Sequence, residues 1–429
     1  MSLFGAMSTA ISGMNAQSAA FSNISDNVAN SQTIGFKSTN TSFVDYLTTS
    51  TATQNQSGSV VTRPDYQNNV QGSIQQSTDP LAMAIDGNGF FAVSEQTGTT
   101  SSGQPNFGSQ QYYSRDGDFS LDQNGYLVNS SGEYLDGWNV NQATGSVNTS
   151  AMAPLKITQT QFQPVATSSV SLLANVPATP SSTSNLSSTV QVYDATGTSH
   201  DLNTSWAQTG ANAWTLSLSS PDNGGGATIG SVNVTFNADG TLATLTGATG
   251  GVAVNAPGTA NDASVTLSPS FNGNAQSIKL DLGTFGGTNG VTQFAGTDYD
   301  LHSITQNGSA PGAFTGISIA STGAVSANYD NGQSVTVAQV PVVTFENPDG
   351  LQRQNGQAFT VTAQSGVAIS QDQNQNGAGS LVTGSTEGSN VDIATQLSNL
   401  IVAQEAYGAN AKVITSANQL LQTTLDMKQ

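Results

Sequence analysis

The chain of 429 residues contains no cysteine and only eight basic residues, against 27 acidic ones. The absence of cysteine excludes disulfides, thiolate metal sites and cysteine nucleophiles together. The net charge of −19 argues against binding to nucleic acid or to an anionic membrane surface, because both are bound through patches of lysine and arginine. Charged residues make up 8% of the chain, against a usual share of about 25%, so Ser, Thr, Asn and Gln must supply most of the polarity.

Long apolar runs are also missing. No segment approaches the roughly 18–20 consecutive apolar residues that a membrane-spanning helix needs. The first basic residue is Lys37, so the start of the chain lacks the positive region of a secretory signal. We therefore expect no membrane partner and no cleaved signal peptide. A role outside the cell would need another export route.

Both ends of the chain carry apolar side chains at alternating steps of three and four. The N-terminal positions are Phe4, Met7, Ile11, Met14, Phe21 and Val28. The C-terminal positions are Ile393, Leu397, Leu400, Tyr407, Ala411, Ile414, Leu421 and Leu425. This spacing puts each set on one stripe of a helix and predicts packing against other helices. We call these two stripes the helical seam. Their spacing fits either a stem of two helices within one chain or a larger multi-helix assembly.

Between the ends, the patterns are those of β-structure. Alternating apolar residues predict half-buried strands at Val190/Val192, Trp214/Leu216/Leu218, Val232/Val234/Phe236 and Ile278/Leu280/Leu282. Turns are predicted at Asn124-Gly125, at 237–240 and at 329–332. The sequence thus predicts an α+β fold, in which terminal α-helices form a coiled-coil stem and nested all-β domains are inserted between them. The predicted parts are a helical domain (1–30 and 390–429), extended connectors (31–70 and 366–389), an inner β-domain (71–155 and 291–365) and an outer β-domain (156–290).

Three patterns imitate chemical sites. Residues 87–92 loosely match a dinucleotide-binding loop, but Phe90 and Phe91 continue as a strand where a helix is required, so we predict a hairpin turn. Residues 372–377 imitate the start of a calcium loop, but Thr383 stands where a bidentate Glu is needed. His200 and His302 are expected to be solvated surface residues, and no G-x-S-x-G motif is present. We predict no cofactor, no metal and no enzymatic activity.

Several segments resemble the bacterial flagellar axial proteins, a family of rod, hook and hook–filament junction subunits. Residues 27–37 resemble its N-terminal signature through Asn27, Asn30, Thr33, Gly35, Phe36 and Lys37. Residues 81–91 resemble a segment shared by hook and distal rod proteins, through Asp86, Gly87, Gly89 and Phe90. Residues 113–122, 125–128, 389–393 and 401–407 continue the match in order. Rod proteins of this type stop near the inner β-domain, so the insertion at about 155–290 favours the hook subunit.

The resemblance implies a homopolymer that forms a flexible curved tube, a universal joint between rod and filament that encloses an export channel. The terminal helices would form the polymer core, and the seam would pack against neighbouring subunits. Implied partners are the distal rod, the hook cap, the hook–filament junction protein, the hook-length control protein and the flagellar type III export apparatus. The implied location is the extracellular hook of the basal body. A distal rod or junction protein, or a secreted β-rich adhesin, are the alternatives.

Overall fold

The computed structural model describes residues 3–50, 55–101, 103–142, 144–181, 186–224, 226–255 and 262–427. The side chains of residues 47–50, 55–57 and 425 lie outside the described part. Within it the chain forms two α-helices, α1 (Leu3–Ala29) and α2 (Ile393–Asp426), with 32 strands between them. The predicted arrangement of terminal helices flanking β-structure is therefore confirmed.

The strands are short and follow one another closely. The first ten are β1 (Thr39–Ser50), β2 (Asn55–Tyr66), β3 (Ile74–Gln76), β4 (Met83–Asp86), β5 (Phe91–Thr99), β6 (Pro105–Ser114), β7 (Phe119–Leu121), β8 (Leu127–Asn129), β9 (Tyr134–Asn139) and β10 (Ala153–Pro154). The next thirteen are β11 (Ser169–Asn175), β12 (Ser187–Tyr193), β13 (Ser199–Gly210), β14 (Ala213–Ser219), β15 (Thr228–Phe236), β16 (Leu242–Gly250), β17 (Val252–Val254), β18 (Asp262–Leu267), β19 (Ser270–Phe271), β20 (Asn274–Ala275), β21 (Ile278–Thr284), β22 (Val291–Thr292) and β23 (Asp300–Gln306). The last nine are β24 (Phe314–Ile319), β25 (Ala324–Tyr329), β26 (Ser334–Gln339), β27 (Val342–Thr344), β28 (Gln352–Arg353), β29 (Ala358–Thr360), β30 (Ile369–Gln371), β31 (Ser380–Thr383) and β32 (Ser385–Glu387).

The chain divides into two compact units. The first contains Met1–Gln159, Gly316–Asn328 and Ser334–Gln429. It holds both helices, the β1–β2 hairpin and, among the described residues, an eleven-stranded sheet with the main path β24-β25-β26-β9-β5-β6-β29-β28. Antiparallel pairing of β3 with β32 and of β4 with β31 brings the segment before α2 against residues 74–86.

The second unit contains Thr160–Thr315 and Tyr329–Gln333. Within its described residues a five-stranded antiparallel sheet, β12-β13-β14-β15-β16, and a six-stranded sheet built around β18, β21 and β11 share one apolar core. Every apolar residue named in the four alternating patterns is buried in that core, so the prediction from the period of two is confirmed. Strand β11 runs parallel to β21 and β22, a long-range pairing that no local pattern signals.

The structure corrects several boundaries. The connector predicted at 31–70 contains the long antiparallel hairpin β1–β2, and that at 366–389 contains three short strands. The second unit extends to Thr315, beyond the predicted limit of 290, because β22 and β23 both pair with β11. Residues 87–89 do not close a hairpin, since β4 pairs with β31 while β5 pairs with β6 and β9. The other three predicted turns do join paired neighbours: β7–β8, β15–β16 and β25–β26.

Candidate functional site: the helix pair and its junction with the β-structure

Helices α1 and α2 pack against each other through small and polar side chains. On α1 the buried residues are Ala10, Ala16, Ala20, Ile24 and Asn27, and on α2 they are Gln396, Ala403 and Ala417. A methyl group added at Gly13 would lie 2.9 Å from Nδ2 of Asn410, which shows how closely the helices approach there. Small residues at a helix interface allow this approach, and they leave no room for large side chains along the line of contact.

The large apolar residues of the helical seam lie elsewhere on the helices. Five are exposed: Phe4 (70%), Ile11 (46%), Ile393 (45%), Leu397 (49%) and Tyr407 (40%). Eight are half-buried, namely Met7, Met14, Phe21, Val28, Leu400, Ala411, Ile414 and Leu421. Leu425 belongs to α2, but its side chain is outside the described residues. The seam is therefore not buried between α1 and α2 of one chain, and its packing against other chains stays a prediction.

Two asparagines fasten the helices to the β-structure. Buried Asn27 donates to the carbonyl of Thr39 (2.9 Å) and to Oε1 of Gln396 (3.2 Å), and its Oδ1 accepts from Thr39 N (3.0 Å). Asn390, just before α2, accepts from Ser38 N at 2.7 Å through Oδ1, while its amide nitrogen donates to the carbonyls of residues 67 and 70. Each amide thus replaces backbone partners where strand pairing stops.

A buried ion cluster lies beside these asparagines. Glu387 is 0% exposed and accepts from Lys37 Nζ (2.6 Å) and from Gly72 N (2.8 Å) through Oε1, and from Arg115 Nη1 (2.8 Å) through Oε2. Lys37 and Arg115 are likewise almost fully buried. Such a cluster is rigid only while every member is present, because losing the anion would leave two buried cations without a counter-charge.

Backbone carbonyls also accept hydrogen bonds from both cations. Lys37 Nζ donates to the carbonyl of Val70 (2.7 Å), and Arg115 donates to the carbonyls of Ile85 (3.0 Å) and Gly87 (2.6 Å). Burial, reinforced by the positive charge of Arg115 and opposed by Glu387, lowers the pKa of Lys37 to about 8. The cluster therefore binds together five segments of the chain, which lie between residues 37 and 387.

The signature residues surround this cluster. Phe36 stacks beneath the guanidinium of Arg353 (4.2 Å from its Cζ to the ring centre), and Phe90 lies 5.2 Å from that of Arg115. Gly35 has φ +70°, and a Cβ there would meet Asp116 N at 2.5 Å, so only glycine fits. The same holds for Gly89, where φ is +132° and a Cβ would collide with Val342.

The remaining signature residues have local roles. Asn30 caps the end of α1 by donating to the carbonyl of Asp26 (2.9 Å), and Thr33 donates to Asn30 Oδ1 (3.2 Å) in the turn that follows. Asp86 is exposed and accepts from Gln71 Nε2 at 3.2 Å. Gly87, with φ +102°, begins the turn that leads to Phe90.

Sequence reasoning missed two parts of this site. Glu387 was overlooked because its partners are 350 and 272 residues away in the chain. No local pattern points to it, because Lys37 is followed by Ser38 and Thr39 and Arg115 stands between Ser114 and Asp116, surroundings that are typical of exposed cations. The small-residue face of the helices was missed because steps of three and four in the sequence stand out only for large apolar residues.

The imitated chemical sites have ordinary structural explanations. Residues 87–89 lead into a strand, as predicted, and not into the helix that dinucleotide binding requires. Residues 373–377 form turns between β30 and β31. Among the described residues, no group of three or more His, Asp or Glu is placed to hold a metal ion. His302 is half exposed as expected, but the prediction for His200 is wrong, because its ring is buried against Phe271.

No helix in the described part of the chain combines the length and hydropathy that crossing a membrane would take.

Comparison with known protein families places the whole chain in one class, that of bacterial flagellar rod and hook subunits. Residues 7–37 match the model described as flagella basal body rod protein, and residues 84–163 match the flagellar hook protein FlgE/F/G D1 domain. Residues 157–309 match the flagellar basal body protein FlaE D2 domain, and residues 382–427 match the C-terminal model of the flagellar basal body rod FlgEFG proteins.

Individual relatives narrow the class. The flagellar hook protein FlgE of Brucella abortus is 32% identical over 100% of both chains. That of Salmonella typhimurium is 31% identical over 98% of this chain and 99% of its own. A solved structure, flagellar hook protein FlgE2 of Helicobacter pylori, covers 72% of this chain and 98% of its own with a TM-score of 0.49 and 14% identity. The chain belongs to the flagellar hook protein family, whose members are structural subunits of the hook.

Proposed function

We propose that the chain polymerises through its terminal helices into the flexible, curved tube of the flagellar hook. In this polymer α1 and α2 line the inside and enclose the export channel, while the β-sheets of the two units form the outer wall. The tube acts as a universal joint that transmits motor torque from rod to filament. The protein has no enzymatic activity in this role.

The observation that carries the proposal is the exposed part of the helical seam. Phe4 and Leu397 are 70% and 49% exposed on helices whose small-residue faces are already buried. Burying a leucine-sized side chain contributes about 1.5–3 kcal/mol, so a repeated seam of this kind gives a strong drive towards further helices. Neighbouring subunits of the same sequence supply such helices in a homopolymer.

The composition of the β-structure in the two units suits a tube that must bend. Their surfaces are built from Ser, Thr, Asn and Gln, and a hydrogen bond exchanged with water contributes only about 0.5–1.5 kcal/mol net. Contacts of this strength break and re-form at low cost as neighbours slide. Removing residues 160–315, the main segment of the second unit, should therefore give straighter tubes or tubes of altered curvature, and electron microscopy would measure this.

Assembly partners follow from the position of a hook in the flagellum. We propose that the first subunits meet the distal rod, the growing tip meets the hook cap, and the last subunits meet the hook–filament junction protein. The hook-length control protein and the flagellar type III export apparatus act during growth. Isolated helices of this kind are marginal without packing, which suits passage of an unfolded chain.

The test compares the full chain with a variant lacking 1–30 and 390–429, both concentrated in salt and viewed by electron microscopy. Curved tubes from the full chain alone are expected. Tubes from the truncated variant would contradict the proposal. A second readout is the salt dependence of assembly. With a net charge of −19, repulsion between subunits should weaken as salt is added, so assembly should increase.

A further inference from the structure

Helix α2 carries an apolar stripe that is not part of the helical seam. This stripe, here called the lateral stripe, also follows alternating steps of four and three, and it consists of Val402, Ala406, Ala409, Val413, Ser416 and Leu420. Its large members Val402, Val413 and Leu420 are 66%, 45% and 56% exposed. The lateral stripe is therefore open to solvent in one chain, and it shares no residue with the seam.

The seam and the lateral stripe lie on opposite sides of the contact between α2 and α1. The buried residues Gln396, Ala403 and Ala417, together with Asn410 at the close approach to Gly13, repeat every seven positions and mark the line of α2 that faces α1. At 100° per residue, the seam lies about 60–100° to one side of this line and the lateral stripe about 60–100° to the other. Helix α2 thus has one apolar flank on each side of α1.

The charges of α2 avoid both flanks. Glu405, Lys412 and Asp426 are the charged residues of this helix, and their separation by multiples of seven puts them on one line, about 160° from the line that faces α1. Apart from Ile401, the residues beside them on that outer face are small or polar. Because subunits of net charge −19 repel one another, copies of the chain approach most easily where the surface is uncharged. Both flanks of α2 meet this condition.

At its N-terminal end the lateral stripe becomes one wall of a groove. Val402 and Asn399 line this groove from α2, Ala20 and Ile24 line it from α1, and Phe43 lines it from β1. Phe43 is 47% exposed, so each of the two outer walls presents an exposed apolar side chain. A groove of this kind receives the apolar face of a helix.

The wall that the β1–β2 hairpin provides is fastened to α1. Asn23 Nδ2 donates to Oγ1 of Thr41 at 2.8 Å, and the backbone N–H of Val60 donates to Oγ of Ser12 at 3.1 Å. These bonds hold both strands of the hairpin against the helix. The groove is therefore preformed in one chain, which lowers the entropic cost of filling it.

We propose that the lateral stripe and its groove receive the helical seam of a second copy of this chain. The inference rests on the proposed function, since it supplies the other half of the contact that the seam makes. Seam and lateral stripe have the same spacing, so side chains of one can fill the spaces of the other over several turns. The contact joins two different surfaces, so each added copy leaves a new surface free and the assembly grows without closing as a dimer.

The first test removes the lateral stripe with Val413→Gln/Leu420→Gln. Both side chains are exposed, so the helix content and melting temperature of the monomer should stay unchanged by circular dichroism. We expect complete loss of tubes in electron microscopy under conditions in which the full chain assembles. The matched control, Ser398→Gln/Thr415→Gln on the outer face, should form tubes. Tubes from the stripe variant would overturn the inference and leave assembly through the seam intact.

The second test mixes this stripe variant with the seam variant Ile11→Ala/Leu397→Ala and follows the mixture by sedimentation velocity. The intact seam of one can still meet the intact lateral stripe of the other, so we expect a one-to-one complex at concentrations where each variant alone is monomeric. A mixture that stays monomeric would overturn the inference. The complex does not require tubes, so this result is separate from the proposed function, which fails if the unmodified chain forms none.

Discussion

The second unit and the helix pair of the first unit use apolar residues in opposite ways. In the second unit, alternating side chains such as Leu216 and Val234 are fully buried in a core shared by two sheets. In the helices, several large apolar residues, Phe4 and Leu397 among them, are exposed, while alanines make up most of the buried positions. The two sheets of the second unit therefore bury their apolar faces within one chain. Helix α1 packs against α2 and against the β1–β2 hairpin, and part of the helical seam stays exposed in one chain.

The junction between helices and strands shows a third use of side chains. There the buried groups are charged or polar, and Glu387 satisfies Lys37, Arg115 and a backbone amide at once. A buried ion cluster contributes less net stability than an apolar core of the same size, but it penalises any arrangement in which one member is missing. We infer that it fixes the position from which both helices leave the sheet.

The largest effect on folding should come from breaking this cluster. Glu387→Gln keeps the shape of the side chain but leaves two buried cations without a counter-charge, which should cost about 3–5 kcal/mol in the free energy of unfolding of the first unit. Urea unfolding monitored by hydrogen exchange of β4 and β5 measures the loss. Glu346→Gln, at an exposed position, is the matched control and should change stability little. Equal effects of the two variants would refute the role given to the cluster.

A leucine substitution in the second unit sharpens the contrast with the helices. Leu216→Ala leaves a cavity in a fully buried core and should cost about 2–5 kcal/mol in the stability of that unit. Assembly through the helices should survive at temperatures where the unit remains folded. Thermal unfolding measures the stability of the unit, and electron microscopy of the same sample measures assembly. A stable variant that fails to assemble would show that the second unit drives polymerisation.

The pH dependence of the first unit should show two opposite slopes. Burial raises the pKa of Glu133 to about 7 and that of Asp136 to about 6, although hydrogen bonds to both carboxylates partly counter it. The folded unit therefore binds more protons than the unfolded chain, and its stability should fall by a few kcal/mol as pH rises from about 4 to 7. Lys37, with its pKa lowered to about 8, should make stability rise again from pH 8 towards 10.

Substitutions assign the two slopes. Urea unfolding of the first unit at each pH should show that Glu133→Gln flattens the acidic slope and Lys37→Met removes the alkaline rise. A slope that persists in the matching variant would belong to other groups.

A larger side chain on the face of α2 that packs against α1 should have a smaller effect on stability. Ala403 is 4% exposed on the face of α2 that meets α1, so Ala403→Leu forces the helices apart and should cost about 1–3 kcal/mol. Circular dichroism at 222 nm during heating would detect earlier loss of helix. Val402→Leu, next to it but 66% exposed, should leave the helix transition unchanged. If both variants melt alike, α1 and α2 do not pack through the small-residue face.

Local patterns were sufficient to predict both helices and the strands of the second unit, because periods of three to four and of two reflect which side of an element is covered. These patterns could not predict which part of the molecule covers that side. The seam residues look like core residues in the sequence, yet Ile11 and Leu397 remain open to solvent, since closer helix packing uses the alanines. Contacts such as Lys37 with Glu387 join residues 350 apart. Likewise Phe271, the ring that covers His200, is 71 positions away in the chain.

The central claim is that the exposed seam, and not the helix pair alone, drives assembly. The decisive measurement is sedimentation and electron microscopy of the double variant Ile11→Ala/Leu397→Ala, with Ser22→Ala/Ser398→Ala as a control at exposed polar positions on the same helices. We predict that the seam variant keeps the thermal stability of the monomer within about 0.5 kcal/mol but forms no tubes, while the control assembles normally. Normal tubes from the seam variant would contradict the account.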